Sequence, residues 1–312
     1  HIAVAEKFVD VNTGTGIVHL SPANGEDDYN IAMKRKVEIF SPIDDEVKFT
    51  DEAGVYAGMF VRDADEKIVQ DVKEKNALVK IGKIKHKYPL CWRSKHKLVW
   101  LARREYFYML DRLGDKAINA AQKVEYFFDQ PKNRFLEIIK EKHPWCISRE
   151  RFWGCPLPIW KCSECGNIER LFSRKEIIDA SDDLPDGPDF ELHRPWIDRI
   201  SIKCKKCNSK MQREEFVLDT WHNSGVAPFA SLSDDEYEKK IPAPFFTEGI
   251  DQTRGWAYTL LIENVILNNK DTAPYESFLF QGHVLDEKGN KMSKSTGNVL
   301  DASELLSKYP VD

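Results

Sequence analysis

The stretch Lys291-Met-Ser-Lys-Ser295 follows a strand–helix–strand pattern, and that conjunction limits the fold more than any other feature of the 312 residues. Phe216–Leu218 reads as a buried strand, and Gln252–Asn269 as a long, mostly apolar helix beginning near Arg254. Ser277–Phe280 reads as the next strand, running towards the lysine loop. Strands alternating with helices, with ligand loops beyond the strand ends, are the pattern of doubly wound α/β domains. Two lysines bracket small residues between Gly289 and Gly297, so the loop can bring two ammonium groups onto clustered phosphate oxygens. A lone pair of lysines in such a turn would ordinarily be a solvated surface feature. Here Glu248-Gly-Ile-Asp-Gln-Thr-Arg-Gly-Trp256 stands upstream as a second polar, glycine-flanked segment.

Charged residues make up 31% and apolar residues 42%, which excludes a disordered chain. No apolar run reaches about 18 residues, the length a spanning helix needs, and no secretory signal is visible. A cytoplasmic protein is the expectation. The net charge of −5 argues against a wholesale nucleic-acid binder. It leaves room for a local patch, and Lys80–Arg104 is one, with nine Lys or Arg, His86 and His96, and no acid. That window reads either as a solvated basic face or as a phosphate-contacting track.

Four of the seven cysteines form two CxxC pairs, Cys162/Cys165 and Cys204/Cys207, with 38 residues between them. Without a signal peptide, reduced thiols and metal are favoured over disulfides. Four thiolates make a tetrahedral zinc site, structural because the protein fills every position. Cys146 and Cys155 read as packing residues. Between the pairs, Ser181–Pro188 is acidic and carries Pro and Gly, the mark of an exposed loop.

Residues 1–60 read as β-rich, with Ile17–Leu20, Val37–Phe40 and Gly58–Val61 as short strands. Asp63 and Glu66 form a capping-box pattern before a helix whose apolar face is Ile68, Val69 and Val72. Arg134–Lys142 is helical, with a stripe of Phe135, Ile138 and Ile139. Pro-flanked His143–Gly154 reads as a strand entering a loop. Asp301 and Glu304 suggest a second capping box.

Four separated motifs resemble the isoleucyl branch of the class I aminoacyl-tRNA synthetases, over nearly the whole chain. They are Gly14–His19 continuing through Asp28-Tyr29, Trp145–Gly154, Asp219–Gly225, and the Gly249–Trp256 segment together with the lysine loop. Valyl enzymes look similar, but Arg151-Phe-Trp-Gly-Cys-Pro-Leu-Pro158 and Tyr88–Arg93 are nearer the isoleucyl pattern. The resemblance implies the C-terminal part of a Rossmann-like catalytic domain, part of an inserted β-barrel editing domain, and a zinc-binding insert. It divides the chain into residues 1–85 (editing domain), 86–160 (return connection), 161–215 (zinc insert), 216–300 (second catalytic half) and 301–312 (start of a helical stem).

The same resemblance implies ATP-dependent activation of isoleucine, with Mg²⁺ accompanying ATP, and transfer to tRNA-Ile by an enzyme monomeric at full length. Lys291, Ser293 and Lys294 would act on the pyrophosphate. Glu248 and Asp251, with Gly249, would hold the substrate ammonium, and Gln252 would orient a polar edge. Trp221 and Trp256 would wall the aliphatic pocket. His19 and Asp28 match editing residues that clear mischarged valine. One methylene is worth only about 1–3 kcal/mol of binding, a limit for which isoleucine-activating enzymes are the standard example, so a second site is needed.

The chain also departs from the pattern. His222 and Asn223 stand where the family usually has Phe and Asp. Ser94 replaces the second cysteine of a CxxC beginning at Cys91, so a second zinc is not expected. The HIGH signature and a Thr-rich editing strand are missing from the sequence, which makes an inactive isolated chain the expectation. Two other readings compete: a non-catalytic zinc-containing RNA-binding module, and a nucleotidyltransferase with a similar loop.

Overall fold

The helix Trp256–Asn268 is apolar nearly all round, so it has to be covered on more than one side. Ala257, Leu260, Leu261, Ile262 and Val265 are buried, and the helix ends on Asn269 in the left-handed conformation. It connects strand Ala243–Gly249 to strand Tyr275–Gln281, which pair in parallel with Phe246 opposite Phe278 and Gly249 opposite Gln281. Glu125–Tyr126 lies on the other side of Tyr275–Gln281, also parallel. Helices Gly114–Gln122 and Asp129–Lys140 supply Ala117, Ala120, Ala121, Phe135 and Ile139 to the same core.

The computed structural model describes residues 3–12, 14–91, 94–294 and 297–310. It divides into two units, 1–104 and 105–312. The parallel sheet belongs to the second unit.

That unit has a second core. Strands Ile159–Cys162, Ile168–Arg170, Ser181–Asp183, Ser201–Lys203 and Lys210–Arg213 form a five-stranded antiparallel sheet, with Ile159–Cys162 and Lys210–Arg213 adjacent. Trp160, Cys162, Ile177, Phe190, Ile202 and Met211 are buried together there. Strand Val217–Leu218 pairs antiparallel with Ser148–Arg149 and so stands outside the parallel sheet.

In the first unit the helices Glu26–Arg35 and Asp65–Glu74 are present, but the expected strands are not. Among the described residues of this unit there are only isolated bridges, such as Ile43 with Phe49 and Lys48 with Phe60. A strand is held by its neighbours. Ile17 and Val18 find no ladder partner and stand exposed, Ile17 at 84%. Asp63 does not cap its helix, which begins after Ala64 with no side-chain cap. Asp301 does cap helix Ala302–Lys308, accepting from the Ser303 N–H, but Glu304 turns to Lys308 instead of back to the cap. No helix among the described residues is long and apolar enough to cross a membrane.

Gly225 ends the helix Thr220–Gly225 where it meets Trp256–Asn268. A Cβ there would come within 2.9 Å of the Thr259 carbonyl oxygen and of Glu263 Cγ. Backbone cannot yield as a flexible side chain can. Gly225→Ala is expected to destabilise the second unit by about 1–3 kcal/mol, measured as a lower thermal midpoint; an unchanged midpoint would refute the close approach.

Candidate active site and cysteine centre

Ligands in open α/β sheets bind beyond the carboxyl ends of the strands. Glu248 and Gly249 end one strand, and Asp251 and Gln252 follow in a 3₁₀ turn, Ile250–Arg254. A Cβ at Gly249 would lie 2.6 Å from Asp251 Oδ1, so a side chain there would make Asp251 turn aside. His283, two residues past the central strand, brings Nε2 to 3.8 Å from the same Asp251 oxygen. Gln252 is partly committed: its Oε1 accepts the Trp256 backbone N–H at 2.6 Å and so caps the long helix. This cap explains why the regular helix starts at Trp256 and not near Arg254.

Trp221 and Trp256 face different surroundings. Trp256 packs on Phe246, with ring centroids 4.9 Å apart, and donates Nε1–H to the Ser224 carbonyl at 2.9 Å. Trp221 is 43% exposed and lines a cavity of about 260 Å³ with Trp145, Arg149, Asp219, Arg254 and Tyr258. Burial pushes the Tyr258 phenol up to about 12, so it stays a neutral donor. A larger hollow of about 750 Å³ lies beside Ile241, Pro242 and Ala273, at the amino ends of the strands. By the carboxyl-end rule the smaller cavity is the candidate site.

Asp219 organises that cavity. It is buried, and its side chain caps helix Thr220–Gly225 through the Trp221 N–H. Oδ2 accepts from Trp145 Nε1 at 2.9 Å and from the Arg149 guanidinium at 2.6 Å. The next side chain but two, His222, turns inward. Its Nδ1 lies 2.6 Å from Glu263 Oε1, and the Tyr108 hydroxyl lies 3.3 Å from the same nitrogen. Burial and the Glu263 charge push the Tyr108 phenol above its ordinary range. Glu263 is 1% exposed, and a carboxylate so placed demands a partner. The departure at His222 therefore has a counterpart in this chain.

The lysine loop has an ordered base. Leu285 and Lys291 form a bridge, and Gly289 takes a positive φ of 77° in the turn between them. Asp286 Oδ1 accepts from the N–H groups of Lys288 and Asn290, at 3.0 and 2.7 Å. Its Oδ2 accepts from Asn298 Nδ2 at 2.8 Å. Asn298 Oδ1 in turn accepts the Ser293 N–H at 2.9 Å. Lys291 and Lys294 are exposed; Ser295 and Thr296 lie outside the described residues. Asp286 and Asn298 were not singled out from the sequence, although Asp286-Glu-Lys-Gly289 carries a type I turn signature, Asp at the first position and Gly at the fourth.

In the first unit, His19 is exposed, and Asp28 accepts the Ser21 N–H on Oδ2 at 2.8 Å from the first turn of helix Glu26–Arg35.

The four paired cysteines sit at the tips of two hairpins. Their sulfur atoms all lie within 4.8 Å of one another, with Cys162–Cys207 at 3.4 Å and Cys165–Cys204 at 3.5 Å. These separations exceed a disulfide bond and fit four thiolates about 2.3 Å from one ion. Each tip closes the same way. Gly166 and Asn208, directly after the second cysteine of each pair, take positive φ and donate their N–H to the carbonyls of Cys162 and Cys204. The Ser209 hydroxyl and N–H hold the Cys207 thiol down, at about 6. Cys165, despite a backbone N–H from Asn167, is pushed up to about 12 by the neighbouring thiols. Four thiolates so close need a cation, and the donor set suits a soft or borderline metal.

A family model described as "tRNA synthetases class I (I, L, M and V)" matches residues 28–312. The chain belongs to the class I tRNA synthetase family. The parallel sheet and its crossover helix are the α/β catalytic-domain fold of these synthetases. The chain is 39% identical to the isoleucine–tRNA ligase of Methanopyrus kandleri, over 100% of this chain and 30% of that protein. It is 42% identical to that of Saccharolobus solfataricus, over 99% and 31%, and 40% identical to that of Clostridium kluyveri, over 100% and 30%. The synthetase chain thus spans about 30% of the length of these curated relatives.

Hydrogen bonds from Asn298, first, and then from Asn290 hold the Asp286 carboxyl below its ordinary 3.8. A depressed carboxylate stabilises the fold at pH above its unfolded value, and the contribution is lost as pH falls through the folded value. The loop base of this synthetase should therefore stay ordered at neutral pH and loosen only below about pH 4. Asn298→Ala should raise the Asp286 pKa, read by side-chain carboxyl NMR titration; no rise would remove Asn298 as the anchor.

Proposed function

We propose that this chain is a segment of an isoleucine–tRNA ligase, an enzyme that joins isoleucine to ATP and passes the acyl group to tRNA-Ile. The observation that carries the reading is one edge of the parallel sheet, where the Glu248–Gln252 segment and the stem of the lysine loop both leave the carboxyl ends of strands. The names of the relatives, isoleucine ligases at about 40% identity, support the isoleucyl reading over a valyl one or a module without chemistry.

Glu248 and Asp251 would hold the substrate ammonium, with His283 close to Asp251. Gln252, its carbonyl spent on Trp256, would offer its amide edge. Trp221 would wall the cleft directly, and Trp256 would support it through Ser224. Lys291 and Lys294, with Ser293 between them, would stabilise the charge that develops on pyrophosphate as ATP, carried with Mg²⁺, is cleaved. In the first unit, Asp28 Oδ1 would take the ammonium of a mischarged valine and His19 would hold the terminal adenosine or a hydrolytic water. Residues 161–215 would be a zinc insert and residues 1–85 part of the editing domain, with residues 86–160, 216–300 and 301–312 as connection, catalytic half and stem.

In the full-length enzyme, Lys291→Ala and Lys294→Ala should each lower kcat for isoleucine-dependent ATP–pyrophosphate exchange by about 10²–10³-fold. Exchange that answers better to another amino acid, or survives both changes, overturns the assignment. Cys162, Cys165, Cys204 and Cys207 would bind one structural zinc, which would tie the two hairpins together. Elemental analysis should find one zinc per chain, lost in Cys204→Ser together with protection of the insert from proteolysis. A zinc-free chain with an equally resistant insert would contradict it.

A further inference from the structure

Charge is sharply divided along the first unit. Residues 1–79 carry nine Lys or Arg against sixteen acids, and residues 80–104 carry nine Lys or Arg against none. Nothing in the proposed chemistry uses the second group. Like charges crowded together repel, and although Arg103 of this run pairs with Asp45, so dense a basic run on a net-acidic chain is an electrostatic footprint for a polyanion.

The structure keeps much of that charge available. Residues 77–88 form neither helix nor strand, and Lys80, Lys83, Lys85 and Lys87 are all exposed. No carboxylate lies within ion-pair distance of these four among the described residues. Further on, Leu90 is bridged to Lys97 and the Cys91 N–H is donated to the His96 carbonyl. Tyr88 serves as a platform there: the Arg62 guanidinium lies 5.3 Å and the Lys97 ammonium 5.8 Å from its ring centroid. Trp100 is 58% exposed, and its carbonyl is fixed by the Asn24 amide. Flat aromatic faces beside unpaired ammonium groups suit a nucleic-acid strand, whose phosphates take the charge and whose bases stack. Lysines are point charges without the fork geometry of arginine, so this ribbon holds a backbone and reads no sequence.

We propose that the ribbon carrying Lys80, Lys83, Lys85 and Lys87, with Tyr88, Lys97 and Trp100 beside it, is an RNA-binding track that grips the sugar-phosphate backbone of the tRNA, apart from the residues assigned to catalysis and editing. The choice of tRNA rests on the ligase reading; the phosphate contact rests on the charge alone. Exposed Val79, Ile81 and Ile84 would instead serve an acidic protein partner, and the test separates the two.

Binding of an unmodified tRNA-Ile transcript to the chain is followed by fluorescence anisotropy across a salt series. Replacing Lys80, Lys83, Lys85 and Lys87 by Gln removes four phosphate contacts. The slope of log K against log salt should become shallower by about 3, and affinity at about 0.1 M salt should fall at least tenfold. Replacing Lys7, Lys34, Lys73 and Lys75, exposed lysines of the same unit, should leave the slope unchanged. Far-UV circular dichroism checks that both variants fold, and Lys83→Glu alone should weaken binding in the same direction.

The proposal is overturned if the wild-type chain ignores the transcript at low salt, if the ribbon variant keeps the wild-type slope, or if the control variant loses as much. It is also overturned if polyglutamate displaces the RNA at equal charge concentration, which would indicate an acidic protein partner. Isoleucine-dependent pyrophosphate exchange needs no RNA, and in the full-length ribbon variant it should match wild type. Loss of exchange in the unmodified enzyme would sink the ligase reading while leaving the track standing.

Discussion

The candidate site depends on one buried carboxylate. Asp219 accepts the Trp221 N–H, the Trp145 indole N–H and the Arg149 guanidinium, so it ties together two segments about seventy residues apart. The same segments are paired directly, Val217–Leu218 with Ser148–Arg149. Arg149 also donates to the carbonyls of Cys146 and Ser148, each at 2.8 Å, which fixes the guanidinium from its own side. A buried charge is tolerated only when its partners are already in place. The walls of the cavity, Trp145 and Trp221, are therefore positioned by the groups that satisfy Asp219.

Some of this was legible in the sequence, and for physical reasons. Apolar runs of different period gave the crossover helix and the strand after it, because burial on several sides leaves no room for polar residues. The start of the helix was misplaced by two residues, since the stop is a long-range-looking but local device, the Gln252 carbonyl on the Trp256 N–H. Residue types before residue 60 suit strands, yet a strand is a statement about neighbours, and Ile17 and Val18 have no ladder partner among the described residues. The partner of His222 was hidden for the same reason. Glu263 is 41 positions on, and its only trace was an acid inside an otherwise apolar helix. The motif makes Trp256 a pocket wall; what composition cannot reveal is that its ring lies on Phe246 and its N–H reaches the Ser224 carbonyl.

The two cores of the second unit solve different problems. Around the parallel sheet, helices bury long aromatic and aliphatic side chains, and hydrophobic area is ample. The antiparallel sheet has strands of only three or four residues, and Trp160, Phe190 and Met211 are buried at its centre among smaller aliphatic side chains. Strands so short share few ladder hydrogen bonds, so a metal cross-link between the hairpin tips would add to what the core supplies. The cysteines occupy the hairpin tips, where the chain would otherwise fray. Gly166 and Asn208 turn both tips inward with the same left-handed step, so the spacing of each CxxC pair and the residue that follows it form one geometric device.

The lysine loop shows how order and access are reconciled. Two ammonium groups are useful against phosphate only if they reach the reacting atoms together, yet a loop packed down by its own lysines would have to break contacts to do so. Here the contacts are placed elsewhere. Asp286 gathers the backbone of Lys288 and Asn290 and the side chain of Asn298, and Asn298 reaches on to the Ser293 N–H and the Lys291 carbonyl. Every one of these bonds involves backbone or a neutral amide, and none involves a lysine ammonium. The stem is thereby tied to itself, a few residues past the carboxyl end of strand Tyr275–Gln281, while Lys291 and Lys294 stay exposed. Long side chains held only by their base lose little rotamer freedom before a ligand arrives, and the electrostatic gain on meeting phosphate is not spent on breaking an internal pair.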